Sequence, residues 1–584
     1  MPELSVWAPK PKSINIAFQG GQTSMHRDPS GCWSGAIPES ARDYSFILDD
    51  APPIPDPRSP WQPFGVHGPS RVLDHASFQW SDDRWQAPSL ASAVVYELHI
   101  GTFTEEGTFD AAITRIPHLK SLGVMHVELM PVAEFPGDWG WGYDGVDLYA
   151  PHHAYGGPEG LKRLVDALHA NGLAAILDVV YNHLGPSGNY LSQYGPYFTT
   201  EIRTPWGDGV NLSGPESREV RRFFIDNALM WLRDYHFDGL RLDAIHALAD
   251  ESTLHFLEEL ATEVRHLESA LDRPLWVIAE SDLNDPRLIR APDFGGYGLD
   301  AQWSDDFHHA LHTLLTGERS GYYADFGTMQ HLAKAIENGY VYDGQYSVYR
   351  RRQHGQPLDP SLKSKLLGYL QTHDQVGNRA QGDRITHLAG MDRAKMGAAL
   401  VFLGPFIPLL FQGEEWGAST PFQYFTDHSE PELGRAVSEG RRREFAAFGW
   451  APDRVPDPQD PETFRRSKLN WQERDAAPHR EMLNWHRDLI AYRKAHPELR
   501  SPEASVVFDD RVGLFIMRRP GISVVCNFGA SRAVVAQRPG SEILLTSSAV
   551  NELSGDCLAL AADSVAIMKA PQVAAGHATA GPTG

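Results

Sequence analysis

Short, continuously apolar segments alternate with amphipathic helices from about residue 91 onward, and this alternation constrains the fold most strongly. Amphipathic helices are predicted at residues 160–170, 218–235 and 257–271. Between and around them lie apolar strand candidates, among them residues 94–100, 124–130, 173–180, 238–243, 275–279 and 407–411. This order favours a parallel sheet with right-handed crossovers, and the apolar strands fit a sheet buried on both faces.

About eight strand candidates fit between residues 91 and 497, which predicts an α/β fold built on a (β/α)8 TIM barrel. The alternative is an open, doubly wound sheet. No glycine-rich dinucleotide fingerprint follows any predicted strand, so nothing in the sequence supports that alternative.

The chain outside the barrel has a different pattern. Residues 1–90 are rich in Pro, Gly and Trp, with short alternating runs that predict an N-terminal β-sandwich. The catalytic barrel is predicted over residues 91–497, with a loop excursion around 184–215. Strand candidates at 504–508, 513–517, 523–528 and 541–546 predict a small C-terminal β-domain over residues 498–570, and the small, polar residues 571–584 predict a disordered tail.

The composition excludes several classes of function. The charge sum, 52 basic minus 75 acidic residues, is −23, which argues against nucleic acid or an anionic membrane as partner. The three cysteines, Cys32, Cys526 and Cys557, are too few and too widely spaced for a disulfide framework or a metal site. No signal segment and no apolar stretch of membrane-spanning length occurs, so we expect a cytoplasmic protein.

Charged and polar residues stand where several predicted barrel strands end. Carboxylates are costly to bury, and in such barrels the catalytic groups collect at the C-terminal strand ends. Any one of these residues could have a purely structural role, for example as an ion pair, but the whole set predicts an active site. Its members are Asp178, Asn182, His183, Arg241, Asp243, Glu280, His373 and Asp374. Two carboxyl groups can cleave a glycosidic bond between them, so we expect a sugar-cleaving enzyme.

Four segments that carry these residues resemble the motifs of the α-amylase family of glycoside hydrolases, in the family's order. They are Asp178-Val179-Val180-Tyr181-Asn182-His183, Gly239-Leu240-Arg241-Leu242-Asp243-Ala244, Ala279-Glu280-Ser281 and Thr372-His373-Asp374-Gln375.

The resemblance implies a role for each motif residue. Asp243 would be the nucleophile, Glu280 the general acid/base and Asp374 the carboxylate that stabilises the distorted sugar. It also implies that Arg241 orients Asp243, that Asp178 and Asn182 support the site, and that Tyr143, His183 and His373 contact the sugar. These roles require an ionised Asp243, which the Arg241 guanidinium favours, and a protonated Glu280 with a raised pKa. The outcome would be retained configuration through a covalent intermediate.

Longer segments resemble the branch of this family that releases trehalose from malto-oligosyltrehalose. They lie at residues 62–70, 96–103, 141–146, 244–248, 280–285, 373–379, 411–417 and 422–428. The resemblance implies hydrolysis of the α-1,4-glucosidic bond next to the terminal trehalose, leaving a shortened maltodextrin. It also implies a pathway partner, a synthase that first isomerises the reducing end. The alternatives are a glycogen branching or debranching enzyme and a non-catalytic carbohydrate-binding relative.

Three further residues are candidate sugar contacts. Trp206 lies in a loop rich in aromatic residues, and aromatic faces suit sugar stacking. Glu414 and Glu415 follow the eighth predicted strand and could bind sugar hydroxyls or form ordinary salt bridges. Some relatives hold calcium near the position of Asn182, but no oxygen-rich loop here resembles a calcium site. We expect no metal and no organic cofactor, since the water for hydrolysis comes from solvent.

Overall fold

The computed structural model describes residues 2–447, 450–451 and 454–569. The tail predicted at 571–584 lies outside these residues. Among the helices in the described part of the chain, none combines the length and apolar character needed to span a membrane.

Eight parallel strands form a closed barrel, which confirms the predicted fold class. In chain order they are Val95–Leu98, His126–Leu129, Ala174–Val179, Gly239–Leu242, Trp276–Ala279, Ala301–Trp303, Leu366–Tyr369 and Ile407–Phe411. Each strand pairs with the next, and the eighth pairs with the first, Leu409 opposite Val95. Closure therefore brings the C-terminal ends of all eight strands to one rim.

Helices connect most of the barrel strands. They are Ile100–Phe103, Phe109–Ile113, Ile116–Leu122, Gly157–Ala170, Leu191–Tyr194, Ser217–Asp234, Phe256–Leu271, Asp305–Thr316, Met329–Asn338, His373–Gly377, Ile385–Leu403, Pro431–Ala447, Pro461–Arg466 and His479–Ala495. Between the fifth and sixth strands, where every residue is described, a short 3₁₀ helix, Pro292–Phe294, replaces the α-helix.

The helix Gly157–Ala170 illustrates how the sequence produces these elements. Pro158 occupies its first turn, where a missing N–H costs nothing. Its predicted apolar face, which includes Leu161 and Leu168, is buried against the barrel. The helix ends at Ala170 and Asn171 is its C-cap. Gly172 follows, and its φ of 79° is the left-handed conformation that glycine adopts without strain.

Alternation along the strands divides the barrel interior into an apolar base and a polar top. Side chains two residues apart share a face, so Ala174, Ile176 and Asp178 all point inward. The lower interior is a separate apolar cluster that includes Ile176 and Ile278. Because the polar interior positions fall at the C-terminal ends of the strands, they open onto the rim.

Two β-sheets precede the barrel, as expected for an N-terminal β-sandwich. One contains Glu3–Trp7, Cys32–Ala36 and His26–Arg27, and the other contains Gly21–Ser24, Ile14–Phe18, Asp43–Leu48 and Ser70–Arg71. Within the loop excursion, Phe198–Thr204 and Gly207–Val210 form an antiparallel hairpin that carries Trp206 at its turn.

Two further sheets follow the barrel. The larger has five strands, Ser505–Asp509, Leu514–Arg519, Ile522–Asn527, Ser564–Lys569 and Glu542–Thr546, and the smaller contains Ala533–Ala536, Cys557–Leu560 and Glu552–Ser554. The four strands predicted here are all present, each within about two residues of its predicted bounds. The domain boundaries at residues 90, 497 and 570 remain predictions.

Candidate active site

Arg241 lies at the centre of the polar rim and approaches four carboxyl groups. Its Nη1 donates to Asp178 Oδ2 at 2.7 Å and to Asp243 Oδ1 at 2.8 Å. Its Nη2 lies 3.8 Å from an oxygen of Glu280 and 4.0 Å from one of Asp374. One guanidinium thus brings together the three carboxylates that the sequence placed on separate strands.

The guanidinium itself is fixed by strand register and packing. Arg241 pairs with Asp178 across the third and fourth strands, so the two side chains enter the barrel at the same level. The guanidinium carbon lies 4.4 Å from the ring centre of Trp303, a cation–π contact. Burial disfavours its charge, but Asp178, Tyr143 and Asp243 outweigh that penalty and raise the pKa of Arg241, which therefore stays charged.

Asp243 is held through both of its oxygens. Arg241 donates to Oδ1, and Asn182 Nδ2 donates to Oδ2 at 2.8 Å and to the Asp243 carbonyl at 2.9 Å. Asn182 Oδ1 in turn lies 2.6 Å from His183 Nδ1, so that nitrogen carries the proton. These contacts orient a carboxylate whose remaining lone pairs face the cavity.

Glu280, the second carboxyl group of the pair, lies close to Arg241 and to the backbone of Ala244. Burial raises the pKa of Glu280 well above its usual range; Arg241 opposes this, while Asp243 adds to it. The backbone N–H of Ala244 donates to Glu280 Oε2. Ala244 has a φ of 40°, a left-handed conformation that costs free energy in a non-glycine residue and aims this N–H at the acid.

His373 and Asp374 form the opposite wall of the site. His373 Nε2 lies 2.7 Å from Tyr143 Oη and 3.4 Å from Asp374 Oδ1, while its Nδ1 contacts Glu97 in the first barrel strand. Burial opposes protonation of His373, but Asp374 and Glu97 outweigh it and raise its pKa to about 9. The imidazole is therefore a cation at neutral pH.

Three of the predicted sugar contacts, Tyr143, His183 and Trp206, line one cavity of about 460 Å³ together with the three carboxyl groups of Asp243, Glu280 and Asp374. Tyr143 donates to Asp178 Oδ2 at 2.6 Å and stacks on His373, with ring centres 5.1 Å apart. The Trp206 ring stacks on His183 at 4.9 Å with 9° between the planes, yet it remains 47% exposed. A flat aromatic face is therefore open to the cavity beside His183.

Glu414 and Glu415 lie elsewhere. Both are buried, and neither lines the cavity. Glu415 Oε1 accepts hydrogen bonds from Tyr96 Oη at 3.0 Å and His118 Nε2 at 2.7 Å, outside the strand wall. These contacts match the salt-bridge alternative for Glu415, and we do not include either residue among the proposed sugar contacts.

Several cavity residues were not singled out by sequence reasoning: Asp144, His246, Asn378, Tyr424, Arg441 and Glu444. Four of them, Asp144, His246, Asn378 and Tyr424, lie within the longer segments that carried the family resemblance. That resemblance is the sequence signal by which these four could have been identified as site residues. Arg441 and Glu444 lie on the helix Pro431–Ala447, where polar residues are also typical of a solvent-exposed face.

Carboxyl groups in or just after the barrel strands were also missed. Glu97 and Glu128 are register partners on the first two strands, and Asp305 follows the sixth. Asp305 Oδ1 accepts a hydrogen bond from Tyr369 Oη at 2.5 Å. A carboxylate inside an otherwise apolar strand is the signal that could have identified Glu97 and Glu128.

Several known proteins are similar to this chain in sequence or fold. The family model of the α-amylase catalytic domain matches residues 75–200. A malto-oligosyltrehalose trehalohydrolase of Arthrobacter ramosus is 52% identical over 92% of each chain. Another malto-oligosyltrehalose trehalohydrolase, from Mycobacterium tuberculosis, is 49% identical over 98% of this chain and 100% of the relative. The crystal structure of a Salmonella typhimurium protein described as an alpha amylase superimposes with a TM-score of 0.88 at 40% identity, covering 97% of both chains.

The closed barrel and the acidic rim, with these matches, define a glycoside hydrolase of the α-amylase family. Within that family the chain belongs to the malto-oligosyltrehalose trehalohydrolases, since the identities extend over nearly its whole length.

Proposed function

We propose that this chain hydrolyses the α-1,4-glucosidic bond next to the terminal trehalose of malto-oligosyltrehalose, releasing trehalose and a shortened maltodextrin. The single observation that carries the chemistry is the approach of one guanidinium, that of Arg241, to Asp243, Glu280 and Asp374. The substrate itself is inferred from the names of the relatives.

In the first step Asp243 would attack the anomeric carbon of the glucosyl unit beside trehalose. The new bond joins that carbon to an Asp243 oxygen, the glycosidic C–O bond breaks, and Glu280 gives its proton to the leaving trehalose oxygen. The hydrogen bonds from Arg241 and Asn182 support this role, because they hold a negative carboxylate in one orientation.

In the second step Glu280, now a carboxylate, would take a proton from water. The resulting hydroxide equivalent attacks the same carbon, the Asp243 ester bond breaks, and the sugar is released with retained configuration. The raised pKa of Glu280 supports both halves of this cycle, because the residue starts protonated and is returned to that state.

The sugar ring between the two carboxyls would be held by Tyr143, His183, His373 and Asp374. Positive charge develops on the ring in the transition state, so the Asp374 carboxylate binds the transition state more tightly than the ground state. The stacked pair of Trp206 and His183 offers an aromatic face to a neighbouring sugar.

The biological setting follows from the substrate and stays a proposal. A separate synthase would form malto-oligosyltrehalose by isomerising the reducing end of a maltodextrin. The cytoplasmic location also stays a prediction, and with a net charge of −23 we propose neither nucleic acid nor an anionic membrane as partner.

Product analysis with malto-oligosyltrehalose and plain maltodextrin side by side tests the proposal. We expect trehalose from the first substrate, loss of that product in Asp243→Asn and Glu280→Gln, and no change in the control Asp293→Asn, which removes an exposed carboxylate. Circular dichroism would show whether the variants are folded. A change of iodine staining on amylose without new reducing ends, or activity on glycogen without trehalose release, would instead indicate a branching or debranching enzyme.

A further inference from the structure

Three potential metal ligands cluster beside the loop that carries Trp141 and Tyr143. Glu134 ends the short strand Ala133–Glu134, and His152 and His153 follow the antiparallel strand Asp147–Pro151. One ligand atom from each residue lies within 4.8 Å of the other two. The side chains of Glu134 and His152 are fully buried, and that of His153 is one-quarter exposed.

His152 is the unusual member of this cluster. Its Nδ1 lies 3.3 Å from Glu134 Oε2, but the geometry is not that of a hydrogen bond, and neither ring nitrogen has a hydrogen-bond partner in the described part of the chain. The ring stacks on Phe135 with centres 3.7 Å apart, which fixes its direction toward the carboxylate. A buried polar group left without a partner is costly, so a ligand is expected where Nδ1 points.

The other two residues already have the support that metal ligands usually have. His153 Nε2 lies 3.3 Å from Asp138 Oδ1, an arrangement in which a carboxylate orients the imidazole. His153 Nδ1 lies 2.7 Å from Glu134 Oε1, and on metal binding this nitrogen would release any proton it carries and exchange the hydrogen bond for a bond to the cation. Glu134 Oε2 accepts a hydrogen bond from the His153 backbone at 2.8 Å.

A second buried carboxyl makes the surroundings favourable for a cation. Asp147 pairs with Glu134 across the two strands, and its Oδ2 has no hydrogen-bond partner among the described residues. One oxygen of Asp147 and both ring nitrogens of His152 are therefore buried polar atoms without a hydrogen-bond partner among the described residues.

We propose that Glu134, His152 and His153 bind a divalent cation of the zinc class. Two imidazoles and one carboxylate suit zinc better than calcium or magnesium, which prefer all-oxygen sites. The cation would join residue 134 to residues 152–153 and so close the base of the loop between them, which positions Trp141 and Tyr143 in the catalytic cavity. The site is structural and lies outside the proposed reaction; from the sequence alone we expected no metal.

Zinc binding to the metal-free full-length protein tests the proposal, by equilibrium dialysis and elemental analysis, with calorimetry for affinity. We expect one zinc per chain and a rise in Tm with zinc, by mass action. Glu134→Gln and His152→Ala should lose both the bound zinc and the rise in Tm. Asp138→Asn alters only the outer carboxylate and should weaken binding about 10- to 100-fold. His266→Ala, which removes a histidine side chain that is 72% exposed, is the matched control and should bind like wild type.

Wild-type protein that retains no stoichiometric zinc would overturn the proposal. So would zinc that remains bound in both Glu134→Gln and His152→Ala, since the cation would then lie elsewhere. Because a core substitution can prevent folding, each metal-free variant is compared with wild type by circular dichroism. Asp138→Asn changes an exposed side chain and keeps the test decisive if a core variant fails to fold.

Discussion

The carboxylate of Glu97 accepts two hydrogen bonds from His373, one from the backbone N–H at 3.0 Å and one from the imidazole. Glu97 lies in the first barrel strand, whereas His373 follows the seventh, and the eighth strand lies between these two in the barrel. This contact fixes the imidazole ring in the barrel interior, with its Nε2 directed toward Tyr143 and Asp374.

Replacing Glu97 with Gln should lower the pKa of His373 and remove part of its positive charge near neutral pH. In the wild type, burial opposes protonation but Asp374 and Glu97 raise that pKa to about 9, so the charge is present below pH 9 and is lost above it. A charge-assisted hydrogen bond contributes about 1.5–3 kcal/mol, so we expect kcat/KM to fall about 10- to 150-fold. The decline with rising pH should begin earlier than in the wild type, as a pH–rate profile would show.

Glu128→Gln provides the matched comparison for that experiment. Glu128 is the register partner of Glu97, and burial, with Glu97 next, raises its pKa well above the usual range. It is therefore already uncharged, and replacement by Gln should change kcat/KM little. Equal losses in the two variants would show that the effect of Glu97 does not depend on the charge of His373.

Asp305→Asn should shift the alkaline limb of the pH–rate profile to lower pH. Burial raises the pKa of Asp305 to about 7, against the hydrogen bond from Tyr369, and its charge helps to raise the pKa of Glu280. As the pH rises through 7, Asp305 of the wild type becomes negatively charged, and this charge helps to keep Glu280 protonated. The variant has no such charge, so its Glu280 should lose its proton at a lower pH. The groups around Glu280 that remain are Arg241, Asp243 and Asp374, so the acid limb should be unchanged. An alkaline limb that stays in place would refute the coupling.

Trp206→Ala should weaken substrate binding with little effect on stability. The ring is 47% exposed on a hairpin turn and stacks on His183, so it contributes little to the core. An aromatic stacking contact contributes about 0.5–1.5 kcal/mol, so we expect KM for malto-oligosyltrehalose to rise about 2- to 12-fold. Trp206→Phe keeps an aromatic face and should lose less. Steady-state kinetics with Tm measurements would separate the two effects, and an unchanged KM in Trp206→Ala would exclude the contact.

Ala244→Val should be far more harmful than Ala244→Gly. At a φ of 40° glycine is unstrained, whereas a β-branched side chain is strongly disfavoured. We expect Ala244→Gly to stay within about 1 kcal/mol of wild type in stability and to retain activity. Ala244→Val should lower both Tm and kcat, because the backbone N–H that contacts Glu280 would move. Similar Tm and kcat values in the two variants would show that the left-handed backbone is unimportant here.

The barrel and the positions of its rim residues could be predicted from the sequence, because both depend on local periodicity. Strands and helices alternate with clear apolar patterns, and residues that end parallel strands must meet at one rim. Arg241 lies on the fourth strand and Asp243 directly follows its last residue, so extended backbone directs the two side chains to the same face. Asp178 belongs to the neighbouring strand, and the observed register places it opposite Arg241.

Only the tertiary structure decided which acidic residues reach the cavity and which are buried elsewhere. Glu414 and Glu415 also follow a strand, but the chain turns at Gly413, whose φ is 81°, and directs Glu415 to Tyr96 and His118 outside the barrel wall. The contact of Glu97 with His373 joins two segments that are far apart in the chain. The cluster of Glu134 with His152 joins two segments that an intervening loop brings together. Such contacts depend on how segments pack in three dimensions, which one-dimensional periodicity does not encode.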